Sequence, residues 1–483
     1  MKKTVFVTIF FYSIQLIYCD NWQLAEFGSY QRITNTIIRD INNDGFDEII
    51  IASFSNSGKK VDVYTMRDKS LILTDSFNVP ESTIFFDAGD IDNDSQCDMV
   101  FLSSNGLYYR TISLTGIKLD TYTKKPGIKS EIVVPQPEIL SDVCMISDLD
   151  GDGQNELIIE NVRAIEIYET RTLSKISSIN LETFLEFSMI PGQFYPHYIF
   201  YTLPIIHITD LDGDGKKEII TKFPKTMNIF AQNSKGKWLL NNIIQIGKDN
   251  IYFLSNSFIK FSFPIIDDIN QDSIKEIIIS TANLDMPKIQ FEAVGDIYYL
   301  GKGTFSIQSN ERIVIKGIPL SLPYFFYINE SDSKELICPV IPFNLISIFG
   351  ILNGSGDIRV PFYSYKQTKG VFHKTPKKLF TISFKIENVT SLVEEIPFDQ
   401  YEKGVYPDFY YFTPNEKKKF AEIEYYSYST EKRDYATKTI QTINLENYTS
   451  ELPASLKIAY LSGNRKKDVV FILHDRFYII TRN

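Results

Sequence analysis

Oxygen-bearing side chains recur in this 483-residue chain at a spacing that could gather them around one point. Asp40, Asn42, Asp44 and Glu48 form the first set, and Asp90, Asp92, Asp94 and Asp98 the second. Asp148, Asp150, Asp152 and Glu156 follow, then Asp210, Asp212, Asp214 and Glu218, and finally Asp268, Asn270, Asp272 and Glu276. In each nine-residue frame these groups stand at positions one, three, five and nine, with Gly or Ser at position six. Alternate positions in a tight turn aim their oxygens at a common centre, and position seven can add its backbone carbonyl. Three or four carboxylates held so close repel one another unless a cation lies between them. Ca²⁺ accepts about six to eight hard oxygens at about 2.3–2.6 Å. The pattern therefore predicts up to five calcium sites.

An EF-hand would need a bidentate Glu at position twelve and a helix on either side. Position twelve is Ile51, Phe101, Ile159, Thr221 or Ile279, inside an apparent strand, so EF-hands and dockerin-type pairs are excluded. A single such loop would be explained equally well as an Asx-turn. Five copies between the same flanking strands point to the metal instead. The loops at 90, 148 and 210 offer four carboxylates each, whereas those at 40 and 268 offer three and an Asn. Ser95 and Ser273 stand where Gly belongs, which costs on the order of 1 kcal/mol if that position is left-handed. The loops at 148 and 210 are expected to bind most tightly, and the loop at 268 least.

The elements that must position these loops are strands. Before each loop runs a short apolar segment such as 36–38, 144–146 or 205–208, and after it a β-rich run such as 49–51, 99–102 or 277–279. Short apolar runs bounded by turn residues read as buried strands. Further strands follow, for example 60–66 and 70–75 in the first unit and 164–168 in the third. The five loop starts lie 50, 58, 62 and 58 residues apart. Eroded copies of the frame begin at Tyr327 and Tyr460, and the segment from Asp399 to Asp408 fits with one extra residue. Repetition of four-stranded units without a helical pattern predicts an all-β fold, a single β-propeller. Eight antiparallel blades are expected, with seven as the alternative. Only two strands fit after residue 468, so Trp22 to Phe27 is expected to complete the last blade and close the ring.

The pattern D-x-[DN]-x-D-[GS]-x-x-[DE] followed by an apolar strand resembles the FG-GAP/VCBS repeat family, which includes the integrin α-chain propeller. The resemblance is carried by residues 36–280 and is weak over 320–475, and the flanking FG and GAP signatures are poorly kept. It implies structural calcium at the turn between the first two strands of a blade, and an adhesive or extracellular binding role.

Lys2 and Lys3 precede an uncharged apolar stretch from Thr4 to Tyr18, the layout of an export signal over residues 1–19. Residues 16–19 loosely resemble a bacterial lipobox, which would make Cys19 a lipid anchor and the only attachment to a membrane. Residues 20–483 would then form the propeller, secreted or held at the cell envelope, as a monomer. Cys97, Cys144 and Cys338 form no disulfide pattern and read as small buried residues. The net charge of −10 lacks the basic face that nucleic acid requires.

No HExxH, GxSxG, Walker or dinucleotide motif is present. Of the four histidines, His207 lies in a strand just before a loop, where a structural role is expected. Aromatic residues cluster over 184–201 and at Phe362, Tyr363 and Tyr365. They suit either stacking on a ligand or packing between blades. The sequence thus predicts a non-catalytic binding or adhesion module for a protein or carbohydrate ligand, with a polysaccharide lyase-like enzyme as the alternative.

Overall fold

The computed structural model describes residues 22–482 apart from 29, 68–69, 116–120, 133–137, 182–183, 189–197, 224–225, 246–263, 286–289, 320–323, 329–332, 342–356, 369–370, 386–395, 401–403, 416–418, 430, 432–433, 446–454 and 464–465. The expected signal and the candidate anchor Cys19 lie outside the described residues. Among those described, the strands assemble into eight blades, with strands in sequence order from the axis outward except that the N-terminal strand is outermost in the eighth. Blade one runs Arg32–Arg39, Glu48–Ser55, Gly58–Arg67 and Ser70–Asn78, and this meander recurs in the third, fourth, fifth and seventh blades. Three insertions depart from the plan. Ser141–Asp142 pairs in parallel with the first strand of blade two, a hairpin of Phe184–Ser188 and Tyr198–Thr202 precedes blade four, and a short hairpin follows Asp357–Tyr365 in blade six.

The period-two alternation of side chains builds the ring. In the second strand of blade one, Ile50 and Ala52 pack with Phe86, Met99 and Phe101 of blade two. Ile49 and Ile51, on the opposite face, pack with Ala459, Val470 and Phe477 of blade eight. The same division recurs around the ring: Leu157 and Ile159 pack back against blade two, and Ile158 packs forward with Ile219 and Trp238 of blade four. Second strands are therefore buried on both faces, and a fully buried Ile contributes about 1.5–3 kcal/mol. Fourth strands lie at the rim, where Leu239, Leu240 and Ile243 are exposed. First strands line an axial cavity of about 640 Å³ that includes Ile38, Ile266, Tyr324, Phe398 and Ile458.

The last blade closes as the sequence predicts. Ser455–Ala459, Asp468–Ile472 and Phe477–Arg482 supply three strands, and Trp22–Phe27 pairs antiparallel with the third, from Trp22 opposite Arg482 to Phe27 opposite Phe477. Phe27 stacks on Phe477 with ring centroids 5.4 Å apart, and Trp22 lies 5.5 Å from Tyr425 of blade seven.

Candidate metal centre

Each of the five Asp-rich loops connects the first and second strands of its blade, and the backbone path repeats. Position six is left-handed throughout: Gly45, Gly153 and Gly215 at φ 88°, 85° and 90°, and Ser95 and Ser273 both at 68°. Position four is left-handed as well, occupied by Asn43, Asn93, Gly151, Gly213 and Gln271. Three hydrogen bonds recur with little variation. The position-six N–H donates to the position-one carboxylate, as from Gly153 to Asp148 at 3.0 Å and from Ser273 to Asp268 at 3.0 Å. The position-seven N–H donates to position five, as from Gln154 to Asp152 at 2.7 Å and from Phe46 to Asp44 at 2.9 Å. The position-two N–H donates to the ninth residue, as from Leu149 to Glu156 and from Leu211 to Glu218, both at 2.8 Å. The position-one carboxylate commits its other oxygen to a further loop N–H, as from Gly151 to Asp148 at 2.8 Å, whereas these bonds engage only one oxygen at positions five and nine.

The ninth carboxylate is buried in all five loops: Glu48, Asp98, Glu156, Glu218 and Glu276. Burial first, and then the charges of the neighbouring Asp residues, raise its pKa. Glu48, Asp98 and Glu156 reach about 7, and Glu218 and Glu276 about 8. Asp92 is raised for the same reasons. In three loops the carboxylate oxygens converge to within 4.8 Å of one another: Asp90 with Asp92 and Asp94, Asp148 with Asp150 and Glu156, and Asp210 with Asp212 and Glu218. Asp98 is fully buried, and its Oδ1 has no hydrogen-bond partner, with the charges of Asp92 and Asp94 acting on it. An unpaired buried carboxylate oxygen among other carboxylates is what a cation would satisfy, so the residues present fit a divalent ion.

The two Asn-bearing loops differ. The Asn42 amide donates to Glu48 at 3.2 Å, and the Asn270 amide to Glu276 at 3.1 Å. In these loops a neutral side-chain amide meets the ninth carboxylate, which receives none in the other three, where the Gln96 amide bonds Asp94 instead.

A second layer was not visible in the sequence. Position eight of each of several loops reaches back to the preceding blade. Lys217, Lys275 and Lys334 donate their N–H groups to Leu149, Leu211 and Ile269 at 2.9, 2.8 and 3.1 Å. Their ammonium groups bond Ser147, Thr209 and Asp267, the residues just before the preceding loops, at 2.9, 2.5 and 2.6 Å. The Asn155 amide bonds the Asp90 carbonyl at 2.9 Å, and Gly303 N–H bonds Asp212 Oδ2 at 2.8 Å. A Cβ on Gly151 would lie 2.6 Å from the Gly215 carbonyl, and one on Gly213 2.5 Å from that of Ser273. Successive loops thus touch and form a belt.

Cross-strand register corrects one frame. Arg39 pairs with Glu48, Asp267 with Glu276, and likewise Asp399 with Asp408. Asp399 therefore precedes the seventh loop, position one is Gln400, and no residue is inserted. Phe362 and Tyr365 are buried within the blade-six packing, so that aromatic group does not form a surface. Of the other aromatic segment, 189–197 lies outside the described residues. His207 sits in the first strand of blade four, opposite Ile220. Cys338 is buried and Cys97 half-buried, but Cys144 is exposed, contrary to expectation.

No protein-family model and no curated protein matches the chain. Among solved structures it is similar to an Agrocybe aegerita lectin that recognises non-reducing terminal N-acetylglucosamine, with TM-score 0.40, 13% identity and coverage of 74% of this chain and 86% of that one. It is similar to the Vanderwaltozyma polyspora Nup133 β-propeller domain at TM-score 0.38 and 13% identity, covering 82% and 93%. The exotype rhamnogalacturonan lyase YesX gives 0.35 and 11%, covering 94% and 90%. Likenesses this distant carry no argument about ligand or reaction.

Proposed function

We propose that the chain is an exported, calcium-binding β-propeller of FG-GAP/VCBS type that serves as a non-catalytic binding module for a protein or carbohydrate ligand. The observation that carries the calcium is the fivefold loop, with its ninth carboxylate buried among other carboxylates and Asp98 Oδ1 left unpaired. A cation would be held by positions one, three, five and nine, with the belt orienting those side chains. Its work would be structural, because the loops join strands within a blade and blades to one another. Export is supported by the basic, then apolar, N-terminal sequence.

The test is thermal unfolding of the chain lacking residues 1–19, with calcium and with excess chelator, alongside a glycan and matrix-protein array. Calcium is expected to raise the melting temperature, since a ligand that binds only the folded state stabilises it by mass action. An unchanged melting temperature under chelation would reject the metal. Release of unsaturated oligosaccharides from acidic polysaccharides would reject the non-catalytic assignment.

A further inference from the structure

The ninth carboxylate persists in the three eroded blades as Glu335, Asp408 and Asp468, and all three are buried. Their surroundings differ from those of the five loops. Asp408 Oδ2 receives the Lys466 ammonium at 2.5 Å and the Tyr425 hydroxyl at 2.5 Å. Glu335 accepts the Ser364 hydroxyl and lies 4.0 Å from the Lys366 ammonium. Asp468 Oδ2 accepts the Ser462 N–H at 2.8 Å, and its Oδ1 is buried without a partner, but residues 460–467 hold no second carboxylate to repel it. In blade seven a lysine supplied by the eighth blade bonds the ninth carboxylate, where the five Asp-rich loops present further carboxylates or an Asn amide. Erosion of the metal ligands is thus matched by donors from within the chain in blades six and seven, and in blade eight by the loss of every other carboxylate from the loop.

The five Asp-rich loops are themselves graded. In blades two, three and four the oxygens converge and no side-chain amide bonds the ninth carboxylate, although in blade two the Gln96 amide bonds Asp94 Oδ2 at 2.8 Å. In blades one and five, on either side, an Asn amide already bonds the ninth carboxylate. The belt joins these loops in series: Lys334 of blade six reaches blade five, Lys275 of blade five reaches blade four, Lys217 of blade four reaches blade three, and Asn155 of blade three reaches blade two.

We infer that the ring is divided into a cation-governed arc centred on blades two to four and a cation-independent arc of blades six to eight. Removing the cation loosens the first while the seam, with its N-terminal strand, stays closed. This rests on the calcium reading above. Repulsion among unscreened carboxylates falls on one arc only, and the belt passes it between neighbouring loops. Lys466 and the backbone donors hold the other arc at any calcium concentration.

The chain carries a reporter in each arc. Its two tryptophans are Trp22 and Trp238. Trp238 packs with Leu149 and Ile219 between blades three and four. Trp22 contacts Tyr410 and Tyr425 at the seam. Neither indole N–H has a hydrogen-bond partner, so Trp→Phe leaves no buried acceptor unmet. Single-tryptophan variants W22F and W238F, excited selectively, would be titrated with chelator after calorimetry has established calcium binding.

The Trp238 emission in W22F is expected to shift to the red as calcium is withdrawn, with that of Trp22 in W238F unchanged. Hydrogen exchange on the unsubstituted chain serves as a second measurement. Amides of Glu156–Glu160 and Glu218–Lys222 should exchange ~10-fold faster or more in chelator, and those of Asp468–Ile472 at the same rate. Coincident responses of the two arcs, or no response in either while calcium binds, would overturn the division. Absence of calcium binding in the calorimeter would overturn the metal reading, and this inference with it.

Discussion

Arg110 Nη2 lies 3.3 and 3.0 Å from the two carboxylate oxygens of Asp75, and the pair bridges blades one and two with side chains only 3% and 2% exposed. The guanidinium also lies 4.0 Å from the centre of the Phe77 ring. At this junction position eight of the loop is Cys97, which cannot form the lysine latch found further along the belt. Arg39 supplies a further polar link, bonding the Ala88 carbonyl at 2.8 Å and Asp87 at 3.2 Å, and Lys59 another, to the Thr83 carbonyl at 2.5 Å. Breaking a buried pair by removing one partner costs about 3–5 kcal/mol, mostly through the charge left behind. Arg110→Met should lower stability by that order in reversible urea denaturation, and adding Asp75→Asn should restore a large part. A loss below about 1 kcal/mol for the single variant would mean that water reaches the pair.

Affinity should follow the grading of the loops. Asp152→Ala should remove one of the tightest binding steps seen by calorimetric titration, and Asp272→Ala only the weakest. The structure adds a reason to the ligand count, since the Asn270 amide is committed to Glu276 and Ser273 is held at φ 68°. A variant at Asp272 that lost the tightest step would reverse the order.

Two glycines in one loop should respond differently to the same change. Gly153 and Gly151 are both left-handed, at φ 85° and 76°. A Cβ on Gly153 meets nothing within 4 Å, whereas one on Gly151 meets the Gly215 carbonyl at 2.6 Å. Gly153→Ala should cost only the backbone term of about 1–2 kcal/mol. Gly151→Ala should cost clearly more, because the neighbouring loop has to move. Equal losses in thermal unfolding would show that successive loops do not press on one another.

The ninth carboxylates set a pH dependence in the absence of metal. Their folded-state values of about 7 to 8 lie above the ordinary value for an unfolded carboxyl, near 4.3. Between those limits the folded chain holds more protons than the unfolded one, so stability falls as pH rises. The metal-free protein should therefore melt highest near pH 5 and lower progressively toward pH 8. Saturating calcium should weaken or reverse that trend, because the ion replaces the protons. Parallel melting curves with and without calcium across this range would exclude the carboxylates as the titrating groups.

The eight-blade ring was legible because its period is carried by residues that neighbour one another in sequence. Loop, flanking strand and spacing recur together from Asp40 to Glu276, and the missing outer strand of the last blade points to Trp22–Phe27. The seventh frame was misplaced by one residue because Asp399 and Asp408 are both acidic. Only the pairing of Phe398 with Phe409 and of Asp399 with Asp408 fixes the register. The belt was hidden for a different reason. Lys275 and Thr209 are 66 residues apart, and nothing in the local sequence tells a lysine that bonds another blade from one that faces water. Phe362 and Tyr365 left two readings open in the sequence, because an aromatic strand reads alike whether its rings pack inward or outward, and their burial decides for packing.

The antiparallel pairing of Trp22–Phe27 with Phe477–Arg482 has a consequence for assembly. Those partners are separated by about 450 residues, so this contact carries the largest loop-closure cost in the described chain and should form late. Until it does, the strand Phe477–Arg482 presents unpaired backbone groups along one side, and so does the partner waiting for it. A chain that stalls at this stage can be completed by the first strand of another copy as readily as by its own. The seam is therefore where misassembly into exchanged dimers or open chains would begin.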